Sequence, residues 1–329
     1  MFTRPPDIPD STIVDAISEV WGIEVFGADY APVGFGSHHW RTRGGSTNWF
    51  VTVDDLAAKR RYQSEAPDET RERLIAALAT AKDLAARGLG FVVAPRLTVR
   101  GSVAYALTAR YVVAVYPAVP GRTFDYGSYD SRSDRLEVLS LLVELHATPK
   151  DWVPSAWADD LAISNRDDLD AALGSLNTPW APGPFGDMTR QLLHQHAAAV
   201  TAALAACDNQ ASLVLARPER TVVTHGEPHR ANTIAAEQGR LLIDWDTALI
   251  APPERDLWEL ISEDPAIAVE YTRRTRTPIL NEVVDLYRMS WDLNEIAIYV
   301  SQFRQEHALC EDTEESWTNL QRFLDPDRW

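Results

Sequence analysis

Two short segments in the second half of the chain restrict its fold and chemistry more than any other feature. The first reads THGEPHRANT (224–233) and the second reads LLIDWD (241–246). They place an acid at Glu227, an amide at Asn232 and a second acid at Asp244, after a short apolar run. Phosphoryl transfer from a nucleotide requires one carboxylate that orients a hydroxyl group, and hard oxygen ligands for Mg²⁺. The pattern therefore predicts a phosphoryl-transfer loop flanked by two short strands.

Length and charge narrow the class of protein and its partners. At 329 residues the chain exceeds one compact core, so two lobes or domains are expected. The formal net charge of −17 argues against a nucleic-acid partner, because phosphate backbones favour basic surfaces. An acidic surface can instead attract cationic substrates, although it can equally serve solubility alone.

Cysteine usage and hydrophobicity give the expected compartment. Cys207 and Cys310 are the only cysteines, and their spacing suits neither a disulfide framework nor a zinc site. The segment MFTRPPDIPD (1–10) lacks the apolar core of a signal peptide, and no apolar run is expected to span a membrane. We therefore expect a cytoplasmic protein without membrane association.

The first third of the chain predicts a small lobe built on a sheet. Glycine turns separate β-rich runs, and Asp10 or Ser11 is expected to cap a first helix. In chain order, the predicted elements are a helix over 10–22, β-rich runs over 30–40 and 44–53, a helix over 65–87, and strands over 91–99 and 103–116.

The segment YPAVPGRTF (116–124) is the expected hinge, because the pattern beyond it becomes mostly helical. One helix should begin near Ser133 and end before Pro149. Residues 150–186 are rich in Pro, Gly, Asp and Trp and should be mainly loop. The other predicted helices cover about 166–176, 187–206 and 278–304, within a helical region over 255–323.

This order of features resembles the aminoglycoside phosphotransferase family, which has a protein-kinase-like fold. The resemblance rests on a glycine loop, a β-rich lobe, a hinge, a helical lobe and the two central segments, and it looks nearest to spectinomycin-type antibiotic kinases. The interval from Glu227 to Asn232 matches the Asp-to-Asn interval of the protein-kinase catalytic loop. The family resemblance implies an α+β fold of two lobes. A small antiparallel sheet would form a nucleotide-binding lobe (1–115), followed by a hinge (116–124) and a larger helical lobe with the acceptor site (125–329).

The resemblance also assigns catalytic and metal-binding roles. Glu227 would occupy the catalytic-base position, where most relatives have Asp, and would reach roughly 1.5 Å further. His225 would brace the loop and His229 would be the second histidine of the motif; structural hydrogen bonding is favoured for both over proton transfer. Asn232 and Asp244 would hold Mg²⁺ against the phosphates of ATP or GTP.

The glycine loop and the hinge are the expected nucleotide contacts. Gly34, Gly36 and Ser37 form a short loop that can approach phosphates, although an ordinary hairpin turn also explains it. By analogy with kinases, the hinge backbone would pair with the edge of a purine. The positions concerned are Val115, Tyr116 and Ala118.

Acids of the helical lobe are candidates for binding an amine-bearing acceptor. Most acids on helices are solvated, so each alone is a weak candidate. Asp246 has three interpretations: a substrate contact, a metal contact or an exposed acid. The helical acids considered are Asp256, Glu259, Glu263, Asp264, Asp292 and Glu295, with Asp256 and Glu259 placed in the predicted substrate site.

One position departs from the family. The third strand of this fold usually carries a lysine that grips the nucleotide phosphates and pairs with a helix glutamate. That position falls at Thr52, which cannot carry charge. The residues that could replace the lysine are Lys59, Arg60 and Arg61, with Glu65, Glu69 or Glu72 as partner. A solvated basic cluster is the favoured interpretation.

The sequence thus predicts a kinase that transfers the γ-phosphate of ATP or GTP to a hydroxyl of an aminoglycoside- or aminocyclitol-type antibiotic, as in antibiotic resistance. A kinase of another small hydroxylated metabolite is one alternative, such as an amino sugar, an amino alcohol or a nucleoside antibiotic. A nucleotide-binding pseudokinase is the other, motivated by Thr52 and Glu227. The acceptor and the oligomeric state are left open.

Overall fold

A five-stranded antiparallel sheet forms the first part of the molecule. The computed structural model describes residues 1–44, 47–180 and 183–325, so positions 45–46 of the β-rich run predicted over 44–53 lie outside the described residues. The strands are ordered β1-β2-β3-β5-β4. In chain order the elements are α1 (Asp10–Trp21), β1 (Gly27–Ala31), β2 (Ser37–Arg43), β3 (Trp49–Asp55), α2 (Pro67–Ala86), β4 (Tyr105–Ala106) and β5 (Tyr111–Pro117).

Alternation along β3 separates a core face from a cleft face. Val51 and Val53 are fully buried in a cluster with Trp40 and the apolar face of α1. Successive side chains of a strand point to opposite faces, so Thr52 and Asp54 both lie on the other face. That face turns towards the second part of the molecule.

The structure corrects three expectations for this part. Residues 91–99 form no strand but an extended segment with one bridge, from Val92 to Leu242; the apolar run fills the main core instead. The predicted strand over 103–116 is interrupted before Tyr111, because the Thr108 hydroxyl accepts hydrogen bonds from the backbone N–H groups of Arg110 and Tyr111 and so makes a turn.

The third correction concerns the start of α1. Pro9 occupies the N-cap position, without a side-chain capping bond. Asp10 lies in the first turn, where its carboxylate accepts a hydrogen bond from the Trp40 indole at 2.8 Å. The carboxylate therefore joins the helix to the sheet instead of capping the helix.

The second part of the molecule is mainly helical, as predicted. Ser131, not Ser133, caps the first of its helices by accepting a bond from the Asp134 N–H. The helices are α3 (Arg132–His146), α4 (Arg166–Gly174), α5 (Gly186–Leu215), α6 (Glu254–Glu263), α7 (Ala266–Thr275), α8 (Asn281–Arg304) and α9 (Glu311–Phe323). The short strands are β6 (Val222–Thr224), β7 (Thr233–Ala236), β8 (Gly239–Leu242) and β9 (Leu249–Ala251), paired β6 with β9 and β7 with β8.

Helix α5 runs well beyond its predicted end. By length and composition alone it is the one described helix apolar enough to cross a membrane, a test that core helices of soluble proteins also pass. One face of α5 packs on α8, through Leu193, Val200 and Leu204 in a second apolar cluster. The expectation that no apolar segment has the length of a span is therefore too strict for this helix.

The chain crosses from the sheet to the helical part through a close backbone contact. Arg122 and Ala235 exchange two backbone hydrogen bonds of 2.9 Å, which attaches the segment after β5 to β7. A Cβ on Gly121 would lie 2.5 Å from the Ile234 side chain and 2.8 Å from the Ala235 carbonyl oxygen. Only glycine permits this approach, so Gly121 fixes where the connection meets the helical part.

Candidate active site

The loop that follows β6 is braced by a buried carboxylate. Asp256, at the start of α6, accepts hydrogen bonds from the backbone N–H groups of His225 (2.9 Å) and Gly226 (2.6 Å). The His146 ring contacts the same carboxylate at 3.1 Å. Asp256 is 1% exposed, so it has no surface to offer a substrate. The structure thus corrects the expectation that Asp256 binds the acceptor: it positions the loop.

His225 connects this loop to the segment of Asp244. Its Nδ1 accepts from the Glu227 N–H at 3.2 Å, and its Nε2 donates to the Ile243 carbonyl at 2.8 Å. Burial lowers the pKa of His225, and these two bonds require the neutral ring. His225 is therefore a positioning residue that sets the distance between Glu227 and Asp244.

The Asn232 side chain is oriented by two donated hydrogen bonds. Its Nδ2 lies 3.0 Å from the Glu227 carbonyl oxygen and 3.2 Å from Nε2 of His229. Both N–H groups of the amide are thereby used, so Oδ1 is the atom left for a cation. His229 itself lies under the edge of the Tyr126 ring and 3.7 Å from the Glu227 carboxylate. The geometry makes His229 an orienting neighbour of both residues.

Asp244 is held next to Asn232 by the backbone. The Ile243 N–H donates to the Asn232 carbonyl at 3.0 Å, and Asp244 itself adopts a left-handed conformation (φ 64°) that is rare outside glycine. Asp244 keeps an exposed surface, but the loss of hydration around its carboxylate and the neighbouring Asp246 carboxylate raise its pKa well above the usual range. When the ionised form of a carboxyl group is disfavoured in this way, a bound cation would stabilise that form.

These two residues suit a magnesium ion that is shared with a nucleotide. No group of three or more His, Cys, Asp or Glu side chains forms a metal cluster within the described part of the chain. Mg²⁺ is commonly bound through one or two protein oxygens together with phosphate oxygens and water. The Asn232 amide oxygen and the Asp244 carboxylate supply that number and type of ligand.

Lys59 reaches into the cleft, which corrects the interpretation of a solvated basic cluster. Its ammonium lies 3.1 Å from the Asp54 carboxylate and forms a short contact with Asp246. Although burial acts to lower the pKa of Lys59, Asp246 and Asp54 raise it well above its ordinary value. Asp246 is therefore neither an exposed acid nor open to a substrate in this state. Sequence analysis missed Asp54 as a site residue, although it lies two positions after Thr52 on the same strand face.

The neighbours of Lys59 behave differently. Arg60 donates to the backbone carbonyls of Ala57 and Gln63, and Arg61 pairs with Asp160. Two of the three proposed glutamate partners are engaged elsewhere: Glu65 accepts from the Arg61 N–H and contacts Arg73, and the Glu69 carboxylate accepts from the Ala66 N–H. The third, Glu72, lies exposed on α2.

The glycine loop has a backbone form that fits both a phosphate-binding turn and an ordinary hairpin turn. Gly34 and Gly36 adopt positive φ angles of 69° and 90°. The Ser37 hydroxyl donates to the Asp54 carboxylate at 2.6 Å and is buried. Its side chain therefore anchors the loop to β3, and the backbone is the part of the loop that is available to phosphates.

Two of the backbone groups expected to contact a purine at the hinge are already hydrogen-bonded within the protein. The Val115 carbonyl accepts from the Arg96 N–H (2.7 Å), and the Ala118 N–H donates to the Asn48 carbonyl (3.0 Å), so neither group is free for a purine. Alternation along the strand directs the Pro117 carbonyl and the Val119 N–H away from β3 instead. The side chain of Tyr116, the third residue expected at the hinge, is hydrogen-bonded to the side chain of Thr52.

Glu259 and Glu295 lie close enough to Glu227 to interact with its charge, and this cluster of acids in the helical part is called here the acidic pocket. Burial, with a smaller contribution from the Glu227 carboxylate, raises the pKa of both Glu259 and Glu295 to about 7. The phenol of Tyr126 faces the same three acids. Of the other predicted acids, Glu263 pairs with Arg135 and Asp264 with Arg132, and Asp292 is buried.

Comparison with known proteins identifies the family and the fold of the chain. The model of a phosphotransferase enzyme family matches residues 39–295. The chain belongs to this family. The phosphotransferase is 30% identical over 251 residues to Protein StrN of Streptomyces griseus, which covers 73% of this chain and 74% of StrN.

Two solved structures share the fold of the phosphotransferase. Spectinomycin phosphotransferase APH(9)-Ia, in complex with ADP and spectinomycin, superimposes with a TM-score of 0.73 at 15% identity, covering 98% of this chain and 96% of that one. Amicoumacin kinase hAmiN, in complex with AMP-PNP and Ca²⁺, gives a TM-score of 0.55 at 11% identity, covering 98% and 93%. The predicted α+β, bilobal, protein-kinase-like fold is thus confirmed.

Proposed function

We propose that this phosphotransferase transfers the γ-phosphate of ATP, or of GTP, to a hydroxyl group of a small cationic molecule of the aminoglycoside or aminocyclitol type. The observation that carries the proposal is the acidic pocket of Glu259 and Glu295 beside Glu227. The two carboxyls are partly buried and difficult to ionise, and their ionisation becomes favourable when an amine or guanidinium group approaches them. The antibiotics bound by the structurally similar enzymes are consistent with such an acceptor.

Glu227 is the proposed base. Its carboxylate is about one-third exposed and lies where the braced loop meets the acidic pocket. It would orient the acceptor hydroxyl and take its proton as the phosphoryl group arrives. Because the transition state of phosphoryl transfer is loose, positioning contributes more than the strength of the base.

The nucleotide would lie between the glycine loop and the hinge. We propose that the Pro117 carbonyl and the Val119 N–H pair with the purine edge, and that the backbone around Gly34 and Gly36 covers the phosphates. Asn232 and Asp244 would hold Mg²⁺, which when bound neutralises charge on the phosphates. In this assignment residues 1–115 bind the nucleotide, 116–124 form the hinge, and 125–329 carry the catalytic loop and the acceptor site.

A cytoplasmic location is part of the proposal. Cys207 and Cys310 are both free thiols, which agrees with a reducing compartment.

Screening with a defined pair of variants tests the function. The protein is incubated with Mg²⁺, ATP or GTP, and a panel of aminoglycosides, aminocyclitols, amino sugars and amino alcohols, and each product is examined for the mass gain of one PO₃H group. Glu227→Gln should abolish transfer and leave nucleotide affinity nearly unchanged. Glu237→Gln, in the exposed β7–β8 turn, is the matched control and should behave as wild type.

The outcomes separate the alternatives. Turnover only on uncharged or non-antibiotic hydroxyls would favour a metabolite kinase. Nucleotide binding without transfer to any acceptor would favour a pseudokinase. Full turnover by Glu227→Gln would remove Glu227 from the role of base.

A further inference from the structure

We propose that Lys59, anchored by Asp54, supplies the phosphate-binding charge that Thr52 cannot supply. The inference rests on the proposed nucleotide-dependent function. It assigns the role of a strand lysine to a residue seven positions further along the chain, beyond the end of β3.

Lys59 is the one lysine placed to do this. The sequence contains three lysines: Lys59, Lys82 and Lys150. Lys82, on α2, pairs with the adjacent Asp83, and Lys150 donates to the hydroxyl of Thr221. Lys59 alone contacts acids that follow β8, next to the proposed metal ligand Asp244.

Asp54 takes the place of the helix glutamate that usually pairs with the lysine. It shares the cleft face of β3 with Thr52 and is 3% exposed. Its carboxylate contacts the Lys59 ammonium at 3.1 Å and accepts a 2.6 Å hydrogen bond from the Ser37 hydroxyl. The lysine is thereby tied to the end of the glycine loop, which is the part of the molecule proposed to cover the phosphates.

Asp246 is the partner that the lysine can exchange. In formal terms, Asp54, Asp244 and Asp246 contribute three negative charges and Lys59 one positive charge, which leaves two negative charges uncompensated. A divalent ion balances that difference. Once Asp246 and Asp244 face such an ion, the Lys59 ammonium can leave Asp246 for a phosphate oxygen while it remains on Asp54, the more buried of its two partners.

The segment that carries Lys59 is fixed from the opposite side of the cleft. Arg61 makes a two-pronged contact with Asp160, and its carbonyl accepts from the Asn165 N–H at 2.6 Å. The Gln63 side chain contacts Asp168. These contacts join the chain after β3 to the helical part, so the position of Lys59 depends on both lobes and not on the strand alone.

Nucleotide affinity measured by calorimetry tests the assignment. Lys59→Met keeps the length of the side chain and removes its charge. It should weaken binding of Mg-ATP about 10- to 100-fold, as expected for loss of a charge-assisted contact, and change AMP binding less than about threefold. Lys82→Met is the matched control and should bind both nucleotides as wild type does.

A second variant tests the position of the charge. Lys59→Met combined with Thr52→Lys returns an ammonium to the same strand face, next to Asp54. This double variant should recover at least part of the preference for ATP over AMP, and it supplies the test if the single variant does not fold. Asp54→Asn, which removes the anchor but keeps the lysine, should weaken ATP binding and leave AMP binding unaltered.

The results distinguish this inference from the function on which it rests. A wild-type protein that binds no nucleotide would contradict the proposed function itself. A wild-type protein that binds and transfers, together with a Lys59→Met variant of unchanged ATP affinity, would overturn the role of Lys59 and leave the function standing. Equal affinities of the double variant for ATP and AMP would also overturn it.

Discussion

Acceptor binding should weaken steeply as the pH falls below 7. Burial and the nearby Glu227 carboxylate raise the pKa of Glu259 and of Glu295 to about 7, with His229 acting in the opposite direction on Glu259 and Tyr299 on Glu295. Both carboxyls are therefore half protonated near neutral pH. A cationic acceptor binds the ionised forms, so protons compete with it for the pocket.

The size of the effect follows from these two pKa values. At pH 8 about nine-tenths of each carboxyl is ionised, and at pH 6 about one-tenth. The dissociation constant of the acceptor should rise about tenfold between pH 8 and pH 6 if one carboxylate is required, and about 100-fold if both are. The raised pKa values also lower the free energy of unfolding as the pH rises from the ordinary value for Glu towards 7, and bound acceptor should offset this loss.

Calorimetry from pH 6 to 8 measures the effect directly. The acceptor is taken from the turnover panel and should carry cationic groups that stay charged over this range, so that only the protein titrates. Glu259→Gln and Glu295→Gln should each reduce the pH dependence to that of a single carboxyl. A dissociation constant that is flat from pH 6 to 8 would refute the assignment of the pocket, as would an unchanged slope in both variants.

Three further substitutions test the construction of the site. Asp256→Asn should lower the free energy of unfolding by about 3–5 kcal/mol in urea denaturation, because buried donors lose a charged acceptor; a loss below about 1 kcal/mol would contradict the brace. Burial would raise the pKa of Asp256, but its contact with His146 lowers it overall, so this stabilisation should persist above the ordinary pKa of Asp and disappear as the pH falls through the lowered value. Asp244→Asn should remove the Mg²⁺-dependent part of the rise in Tm caused by ATP, and an undiminished rise would exclude metal binding there. Gly121→Ala should cost about 1–3 kcal/mol of stability, and an unchanged Tm would contradict the close approach to Ala235.

Local sequence was sufficient for the catalytic loop because its residues act over short distances along the chain. The Asn232 amide reaches the Glu227 carbonyl five residues back, and the spacing alone predicted that both would face one site. The partners of this loop could not be predicted in the same way. Asp256 binds it across a sequence separation of about 30 residues, and a buried helix acid cannot be told from a solvated one by its type.

Extended segments were the least predictable part of the fold, because their structure also depends on contacts with residues far away along the chain. Residues 91–99 have the apolar composition of a strand, but their backbone hydrogen bonds go to separate segments, at Leu242, Val115 and Val20, and make no continuous ladder. The side chains fill the core between the two parts. At the hinge, one residue of register decides which backbone groups face a ligand. Pairing of Ala118 with Asn48 continues the sheet one step beyond the expected end, and by alternation the Pro117 carbonyl and the Val119 N–H then point away from β3.

The basic run at 59–61 shows why charge pattern alone could not locate the cation that we propose to bind phosphate. Three consecutive cations are equivalent in composition, yet the fold directs Lys59 to Asp54, Arg60 to backbone carbonyls and Arg61 to Asp160. What separates them is the acid on β3, since Asp54 is buried and would be destabilised without a cation. A missing strand lysine accompanied by an unexplained acid on the same strand face therefore indicates a lysine supplied from elsewhere, because the buried acid and the nucleotide phosphates both require that charge.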